Sequence, residues 1–462
     1  MNQSRLPAAS LHALRGGLHG DVVLPGEAGY DTARGVYNSI HAFWPSLVVR
    51  AASADDVAAT VRFAASEGLM LAVRGGNHSM RGHGSCDDGV VLDLSRLRSV
   101  GVDSEARTAN VGGGATWADV NAATHEHGLA TTGGLVSTTG VGGLTLGGGF
   151  GYLTRRLGMA CDNLVAAEIV TAQGEALTVD HEQEPDLFWS IRGGGGNFGV
   201  VTSFTFRLAS VDRVLGGPLV FEMTPEALKR YDEVMREAPS ELGAVVGLTL
   251  APPLPFIPTD RHGTPCMVVV ACWSGDMDTG RAALERLEGL GDLLGHAVTD
   301  MPYPAINTLF DDLLPSGLRH YWKSHFLNEA PDRAYEAYVD YGRRTPTPES
   351  GVFFYPIDGA AQEVGKDDTA WAHRDARFLV GFHGSWKDPA QDEPIRAWVR
   401  AAHADCAPWA SHGAYVNFLS DVRDASTQDG YGPHTARLIE VKRRYDPNNL
   451  FCLNANIDPE GV

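Results

Sequence analysis

The stretch Arg74-Gly75-Gly76-Asn77-His78-Ser79 follows a short apolar run, Leu69 to Val73, and opens a loop that ends at a second apolar run, 90–94. A strand that ends in glycines exposes a row of backbone N–H groups, which can surround an anion without interference from side chains. Arg74 adds a permanent positive charge and His78 adds a nucleophilic imidazole. We interpret the stretch as a phosphate cradle with a reactive nitrogen beside it; a tight turn with a solvent-facing histidine is the alternative.

Composition and charge exclude several classes of protein. The 462 residues, 44% hydrophobic and 20% charged, are typical of a soluble globular protein with two or three domains. The net charge of −20 and the lack of a dense basic run argue against a nucleic-acid partner. The one basic cluster, Lys442-Arg443-Arg444, is predicted to form a solvated helix face. No apolar run reaches about 18 residues, and residues 1–20 lack a signal-peptide core, so we expect no membrane association.

The cysteines and histidines indicate neither a disulfide framework nor a metal site. Six cysteines are spread along the chain without any C-x-x-C spacing, which is typical of a reducing compartment, and we expect a cytoplasmic protein. The 17 histidines are scattered and contain no H-E-x-x-H motif. We therefore expect no metal ion.

The first ninety residues follow a β-α-β pattern. Leu47 to Val49 is predicted to be a strand, and Ser53 is predicted to cap a helix that runs to Ser66. A second strand leads into Arg74. A further short helix is predicted over Thr32 to His41.

Two more glycine-rich segments follow. Gly133–Gly151 contains too many glycines for a packed helix, because each costs up to about 1 kcal/mol against alanine, and it is predicted to be a loop. Gly193–Gly199 leads into a clear strand, Val200–Phe206. The second segment matches G-x-G-x-x-G, but a Rossmann unit would continue into a helix, so a Rossmann fold is disfavoured.

The character of the chain changes near residues 210 and 413. Glycine clusters stop at the first point, and strands then alternate with amphipathic helices, which is typical of a separate domain with a mixed or antiparallel sheet. We predict segments 1–209, 210–412 and 413–462. Three separated glycine-rich loops without a nucleoside triphosphate motif indicate a large, flat cofactor that carries a diphosphate.

Several motifs together resemble the berberine-bridge-enzyme-like FAD-linked oxidases of the vanillyl-alcohol-oxidase superfamily, and the resemblance covers essentially the whole chain. The motifs are Arg74–Ser79, Gly140-x-Gly142-Gly143-x3-Gly147-Gly148-Gly149-x-Gly151, Asp162-Asn163-Leu164, Arg192-Gly193-Gly194-Gly195-Gly196-Asn197-Phe198-Gly199-Val200, Tyr415-Val416-Asn417-Phe418 and Tyr445-Asp446-Pro447-x-Asn449-Leu450-Phe451.

The resemblance implies an α+β fold: a two-lobed PCMH-type FAD domain, built from residues 1–209 and 413–462, and an inserted substrate domain of mainly antiparallel sheet. It implies a covalent bond from His78 to the flavin 8α-methyl carbon. Tyr415 and Asn417 match the floor of the catalytic site. The implied cofactor contacts outside the first loop are Gly134, Ser137, Thr138, Thr139, Gly140, Gly142, Gly143, Gly147, Gly148, Gly149, Gly196, Gly199, Val200, Asn454 and Asn456.

The sequence departs from the family pattern at several positions. Val136 stands where many members have a second flavin-linked cysteine, so a single covalent link is expected, as in a bacterial mono-covalent branch. Thr139 replaces a common valine or leucine near flavin N5, and Leu144 replaces a histidine or tyrosine. The usual base is missing, because Phe418 replaces a tyrosine and Phe353 replaces an acid.

The identity of the proton acceptor therefore stays open. Tyr321, Tyr355 and Asp358 near strand ends of the substrate domain are candidates, although a tyrosine would need its pKa lowered from about 10. Alternatively, the substrate is an enol or phenol that ionises without a strong base.

The resemblance implies an oxidase that transfers hydride from a secondary metabolite to flavin N5 and reduces O2 to H2O2. One alternative is an oxygenase of the flavin-N5-oxide type that tailors a polyketide-like substrate, and another is a non-enzymatic flavin-binding protein. The expected partners are a small-molecule substrate and O2, and the expected assembly is a monomer or homodimer.

Overall fold

The computed structural model of the protein describes residues 6–411, 413–421 and 426–461. The helices are α1 (Ala8–Gly17), α2 (Tyr30–Arg34), α3 (Ala54–Ser66), α4 (Trp117–His125), α5 (Val141–Leu146), α6 (Thr154–Leu157), α7 (Pro185–Ser190), α8 (Pro225–Glu237), α9 (Met277–Glu288), α10 (Tyr303–Ile306), α11 (Asp332–Arg343), α12 (Ala360–Glu363), α13 (Asp392–Cys406), α14 (Ser426–Tyr431) and α15 (Thr435–Tyr445). The strands are β1 (Asp21–Val23), β2 (Leu47–Arg50), β3 (Leu71–Arg74), β4 (Val90–Asp93), β5 (Val100–Asp103), β6 (Thr108–Gly112), β7 (Leu129–Ala130), β8 (Leu164–Val170), β9 (Ala176–Val179), β10 (Val200–Arg207), β11 (Ala209–Ser210), β12 (Arg213–Glu222), β13 (Leu242–Leu250), β14 (Pro265–Trp273), β15 (Leu293–His296), β16 (Thr299–Pro302), β17 (Arg319–Leu327), β18 (Gly351–Pro356) and β19 (Phe378–Trp386).

The first sheet contains the predicted β-α-β unit. Its strand order is β1-β2-β4-β3, with β2 and β3 both parallel to β4 and β1 antiparallel to β2. The Ser53 side chain caps α3 by accepting a hydrogen bond from the Asp56 N–H, as predicted. Because β3 ends at Arg74, the first glycine loop leaves from the carboxyl end of a buried strand.

The second sheet is antiparallel, with the order β5-β6-β10-β8-β9. Helix α3 lies between the two sheets. Its buried side chains Val57 and Val61 share one apolar core with Leu92 of the first sheet and with Val170 and Val200 of the second. This shared core fixes the first and third glycine loops relative to each other, because Val200 directly follows the third loop.

Two local predictions were wrong. The segment Gly133–Gly151 is not all loop, because α5 forms a short helix inside it. Val141 and Leu146 of α5 are buried, and this tertiary packing offsets the low helix propensity of the neighbouring glycines. The helix predicted over Thr32 to His41 is the shorter α2, which ends where Gly35 takes an extended conformation.

The third sheet is antiparallel throughout, in the order β15-β12-β14-β13-β18-β19-β17, and β16 also pairs with β12. Helices α8, α9, α11 and α13 lie on one face, where Val246, Val269 and Phe354 join a large apolar core. Val245 and Val270 alternate with these residues and belong to the core on the opposite face. The predicted boundaries near 209 and 413 stay a proposal, although the third sheet uses only residues 213–386.

Helix α15 returns the chain to the glycine loops, and the prediction of a solvated basic face was wrong for Lys442. This side chain is fully buried. Its Nζ donates to the Asn197 carbonyl at 2.8 Å, the Asp446 carboxylate at 2.7 Å and the Phe451 carbonyl at 3.0 Å. A buried ion pair therefore joins the C-terminal segment to the third glycine loop.

Candidate active site

The three glycine-rich loops and the C-terminal segment line one cavity of about 420 Å³. Most of the predicted site residues meet there, although they are far apart in sequence. Those on the cavity wall are Arg74, Gly75, Gly76, Asn77, His78, Ser79, Gly134, Thr139, Gly140, Gly142, Gly143, Gly196, Gly199, Val200, Tyr355, Tyr415, Asn417 and Asn454.

The glycines serve two different purposes. A Cβ atom on Gly76 would lie 2.2 Å from the Gly140 backbone nitrogen, so these two loops touch through bare backbone. A Cβ atom on Gly143 or Gly196 would meet nothing within 4 Å, because both face open space in the cavity. Gly76 and Gly140 therefore close the cradle, and Gly143 and Gly196 leave room for a large flat group.

Arg74 holds the first loop in place. The side chain is buried, and its Nε donates to the Gly84 carbonyl at 3.0 Å. Asp93 lies 3.8 Å from the guanidinium, and burial is the main cause that lowers the pKa of Arg74. Asn77 takes a left-handed conformation with φ of 63°, which turns the chain before His78.

His78 presents a neutral imidazole to the cavity. Its Nε2 lies 3.0 Å from Thr138 Oγ1, and its ring stacks on Tyr37 with centroids 4.0 Å apart. Tyr37 stacks in turn on His320 at 5.0 Å. Burial lowers the pKa of His78 to about 4, so the ring is uncharged at neutral pH.

Six predicted cofactor contacts do not line the cavity. Ser137 binds Asp311 instead, through its N–H at 3.0 Å and its hydroxyl at 2.6 Å. Thr138 reaches the site only through His78. Cβ atoms on the glycines 147 to 149 would meet side chains of Asn417, Trp371 and Leu144, so these positions support the wall from behind. The six residues are Ser137, Thr138, Gly147, Gly148, Gly149 and Asn456.

Aromatic rings form the part of the cavity nearest the third sheet. They are Phe150, Trp322, Phe353, Tyr355, His383, Tyr415 and Phe418. We call this group the aromatic chamber. The Asn417 amide donates to the Tyr415 hydroxyl at 3.0 Å. Burial raises the pKa of both Tyr355 and Tyr415 above the ordinary value, so both are neutral phenols rather than ready bases.

The structure does not bring Tyr321 or Asp358 to the cavity, and we do not retain them as proton acceptors. Side chains alternate along β17, so Trp322 faces the cavity while Tyr321 joins the core under α13. The Tyr321 hydroxyl donates to Asp421 at 2.5 Å. Asp358 is buried in an ion pair with Arg155, at 2.6 Å.

His383 was missed by the sequence reasoning. Its ring stacks on Trp322 with centroids 3.9 Å apart and an interplanar angle of 2°. It is 5% exposed, and its Nε2 has no hydrogen-bond partner among the described residues. Burial holds the pKa well below the ordinary histidine value. The sequence signal that could have found His383 is Gly381, which precedes it by two residues on β19. Residues two apart on a strand lie on the same face of the sheet, so the glycine and the histidine are neighbours there.

Comparisons with known proteins agree with this geometry. A model described as "FAD binding domain" matches residues 45–180, and a model described as "Berberine and berberine like" matches residues 414–458. An FAD-linked oxidoreductase of Dictyostelium discoideum is 32% identical over 422 residues, which is 90% of this chain and 89% of that protein. The (R)-6-hydroxynicotine oxidase of Paenarthrobacter nicotinovorans is 30% identical over 454 residues, covering 96% of this chain and 98% of the relative.

Solved structures show the same fold. The crystal structure of 6-hydroxy-D-nicotine oxidase from Arthrobacter nicotinovorans superposes with a TM-score of 0.86 at 27% identity, over 96% of this chain and 98% of that one. Physcomitrella patens BBE-like 1 has a TM-score of 0.85 at 21% identity, covering 96% of this chain and 97% of that one, and supports the fold alone.

The fold and the site thus define an FAD-linked oxidoreductase. More specifically, the chain belongs to the berberine-bridge-enzyme-like family, so the family, fold class and enzyme class predicted from the sequence are confirmed. The glycine-lined cradle fits FAD, because Gly143 and Gly196 leave open space in the same cavity that the neutral imidazole of His78 lines. Within the described ranges, no helix is both long and apolar enough to cross a bilayer.

Proposed function

We propose that the protein is an FAD-dependent oxidase that removes a hydride from a small or mid-sized secondary metabolite and uses O2 as the acceptor. The observation that carries the proposal is the neutral His78 imidazole, which stands in a cavity built from three glycine-rich loops and continuous with the aromatic chamber. FAD held by the three glycine-rich loops and His78 would supply the redox chemistry, as the acceptor of the substrate hydride and the donor of two electrons to O2, which takes up two protons to become H2O2.

His78 is the attachment residue in this proposal. A neutral imidazole carries one N–H, and placing it on Nε2 lets it donate to Thr138 Oγ1. The other nitrogen, Nδ1, then keeps its lone pair for the flavin 8α-carbon. The cavity wall carries Val136 where a second link would need a thiolate, so one covalent bond is expected.

The aromatic chamber, where the substrate would bind, is suited to a planar head group. Tyr355 and Tyr415 are neutral and can orient a substrate oxygen by hydrogen bonds, while the surrounding rings exclude water. Among the described lining residues the only carboxylate is Glu349, which is half-buried next to Pro348. We therefore favour a substrate whose own hydroxyl ionises readily, such as an enol or a phenol.

Acid precipitation tests the attachment. The wild-type pellet should stay yellow after washing, because the flavin is covalently held, and the pellet of His78→Ala should lose its colour. His12→Ala, which changes an exposed histidine of α1, serves as the matched control and should behave like wild type. A wild-type pellet that washes colourless would refute the bond.

Isotope labelling tests the oxidase reaction. Aromatic hydroxy compounds are first screened for bleaching of the flavin without air, and the active compound is then oxidised under ¹⁸O2. Label found in H2O2 supports the oxidase, whereas label in the organic product indicates an oxygenase. A protein whose flavin no compound bleaches would be a flavin-binding protein instead.

A further inference from the structure

A second cavity of about 500 Å³ adjoins the aromatic chamber. The two cavities share part of their walls and therefore lie side by side. The shared residues are Val245, Thr249, Phe310, Leu313, Pro348, Glu349 and Phe353. We call the second cavity the side chamber.

Most side chains on the walls of the side chamber are hydrocarbon. Val245, Val268 and Val270 project from β13 and β14, on the sheet face opposite helices α8 and α11. The turn with Pro252 and Pro253 closes the far end. This floor is therefore a strip of β-branched side chains that runs along the sheet and away from the glycine loops.

The few polar groups of the side chamber do not point to a polar ligand. The Thr249 hydroxyl already donates to the Ser350 carbonyl at 2.8 Å. Asp312 and Lys387 are exposed and can keep their charges in water. His262 is half-buried with its Nε2 3.0 Å from the Ile257 carbonyl, and the half-buried Glu349 stands in the wall shared with the first cavity rather than on the valine floor. A charged or strongly polar group placed on the valine floor would lose its hydration without a compensating partner.

The roof of both cavities is the segment 310–318, which is tied to the cofactor loops. Asp311 accepts two hydrogen bonds from Ser137, and the Leu314 carbonyl accepts one at 2.8 Å from Tyr37, the residue stacked on His78. Leu313 lines both cavities and is 49% exposed. A large apolar side chain left open at this junction gains burial when an apolar ligand covers it.

We propose that the substrate has two parts: a planar head that reacts in the aromatic chamber, and an unbranched or lightly branched hydrocarbon tail that lies in the side chamber. This inference rests on the proposed function and adds the substrate class. The shared wall of the two cavities, the valine floor and the open Leu313 at the junction carry it.

Binding of 4-alkylphenols to the flavin-loaded protein tests the proposal by calorimetry, without turnover. From 4-methylphenol to 4-hexylphenol, each added methylene should tighten binding about threefold to fourfold until the side chamber is filled. The variant Val268→Trp fills the side chamber from a half-buried position that lies beside Gly247. It should bind 4-methylphenol as wild type does and lose the gain for longer chains.

A matched control is Val102→Trp, which places the same bulk at a half-buried valine of β5, a strand that lines neither cavity. It should keep the full chain-length gain. A flat series in wild type, or a gain retained in Val268→Trp, would overturn the proposal.

A second measurement does not depend on the variant folding. In wild type, 6-(4-hydroxyphenyl)hexanoate should lose most of the gain shown by 4-hexylphenol, because its carboxylate would enter the hydrocarbon floor. Equal affinities would count against the tail site. These binding results are independent of the acid-precipitation and labelling results, so failure of the tail site and failure of the oxidase assignment can be told apart.

Discussion

At the scale of single residues, burial controls the chemistry of His78. The ring stacks on Tyr37 and contacts Thr138, and burial lowers its pKa to about 4. A protonated imidazole has no free lone pair, so burial keeps the ring in the form that the proposed attachment requires. In the proposed attachment the Nε2–H donates to Thr138 Oγ1, which leaves Nδ1 with the free lone pair.

Thr138→Val is expected to slow covalent attachment of FAD about tenfold. The variant removes the Oγ1 atom that lies 3.0 Å from Nε2 and that accepts the Nε2–H in the proposed attachment, and one such hydrogen bond contributes about 1–1.5 kcal/mol. The measurement is the growth of acid-stable flavin after FAD is added to the apoprotein.

The control for this prediction is Thr132→Val. Thr132 is buried, whereas Thr138 is exposed, so Thr132 is the more demanding control for stability. The Thr132 hydroxyl donates to the Gly158 carbonyl at 2.8 Å and has no hydrogen bond to His78. Comparable slowing in both variants would mean that the effect of Thr138 is a general loss of stability.

At the scale of elements, α15 contributes a buried cation, Lys442, next to the exposed Arg443 and Arg444. Lys442 donates to the carbonyls of Asn197 and Phe451, while Asp446 accepts the Leu450 and Phe451 N–H groups. The pKa of Lys442 is lowered, with burial as the largest cause and Asp446 opposing it. The helix thus holds the third glycine loop and the C-terminal segment at a fixed distance from each other.

Lys442→Met should reduce the free energy of unfolding by about 3–5 kcal/mol, because it leaves the Asp446 carboxylate buried without its cation. Urea denaturation followed by circular dichroism measures the change. The double variant Lys442→Met with Asp446→Asn should lose less than the single variant, since it removes both charges.

Arg444→Met is the neighbouring control. The Arg444 side chain is 61% exposed and pairs with Glu184 at the surface, so its loss should change the unfolding free energy by less than about 1 kcal/mol. Equal losses in the Lys442 and Arg444 variants would show that burial of the ion pair has no special effect.

At the scale of the whole molecule, neutral histidines that are buried or half-buried make the fold sensitive to acid. Burial lowers the pKa of His83, His320 and His325 to about 3 and that of His78 to about 4. In the unfolded chain these histidines have a pKa of about 6.5. Between those values the unfolded chain binds protons that the folded chain does not.

The free energy of unfolding should therefore fall as the pH decreases from about 6.5 to about 4. The free energy of unfolding should change by more than about 1.4 kcal/mol per pH unit, which is the value when unfolding takes up one proton. Urea denaturation at several pH values across this window measures it.

His325→Phe tests whether histidines cause this slope. The variant removes one buried imidazole, whose Nε2 lies 2.9 Å from the Tyr338 hydroxyl. It should reduce the slope by up to about 1.4 kcal/mol per pH unit, the value for one proton. A slope near zero in wild type would contradict the explanation, as would an unchanged slope in the variant.

Local sequence decided where the cradle lies. Glycine runs at the ends of strands, the Ser53 cap and the strand alternation all depend on neighbouring residues, and these were predicted from sequence. His78 and most of the predicted cofactor contacts indeed meet at one cavity. The fold class followed because the motif order matched a known family.

Tertiary packing decided the rest. It selected Trp322 rather than Tyr321 for the cavity, buried Lys442 where a solvated face was expected, and stabilised α5 in a glycine-rich segment. It also joined the side chamber to the aromatic chamber across segments far apart in the chain. The sequence determined the bare-backbone loops and the candidate nucleophile by itself, because backbone freedom and imidazole chemistry are properties of single residues. Which face of a strand or helix meets the core depends on partners distant in sequence, and only the folded molecule supplies them.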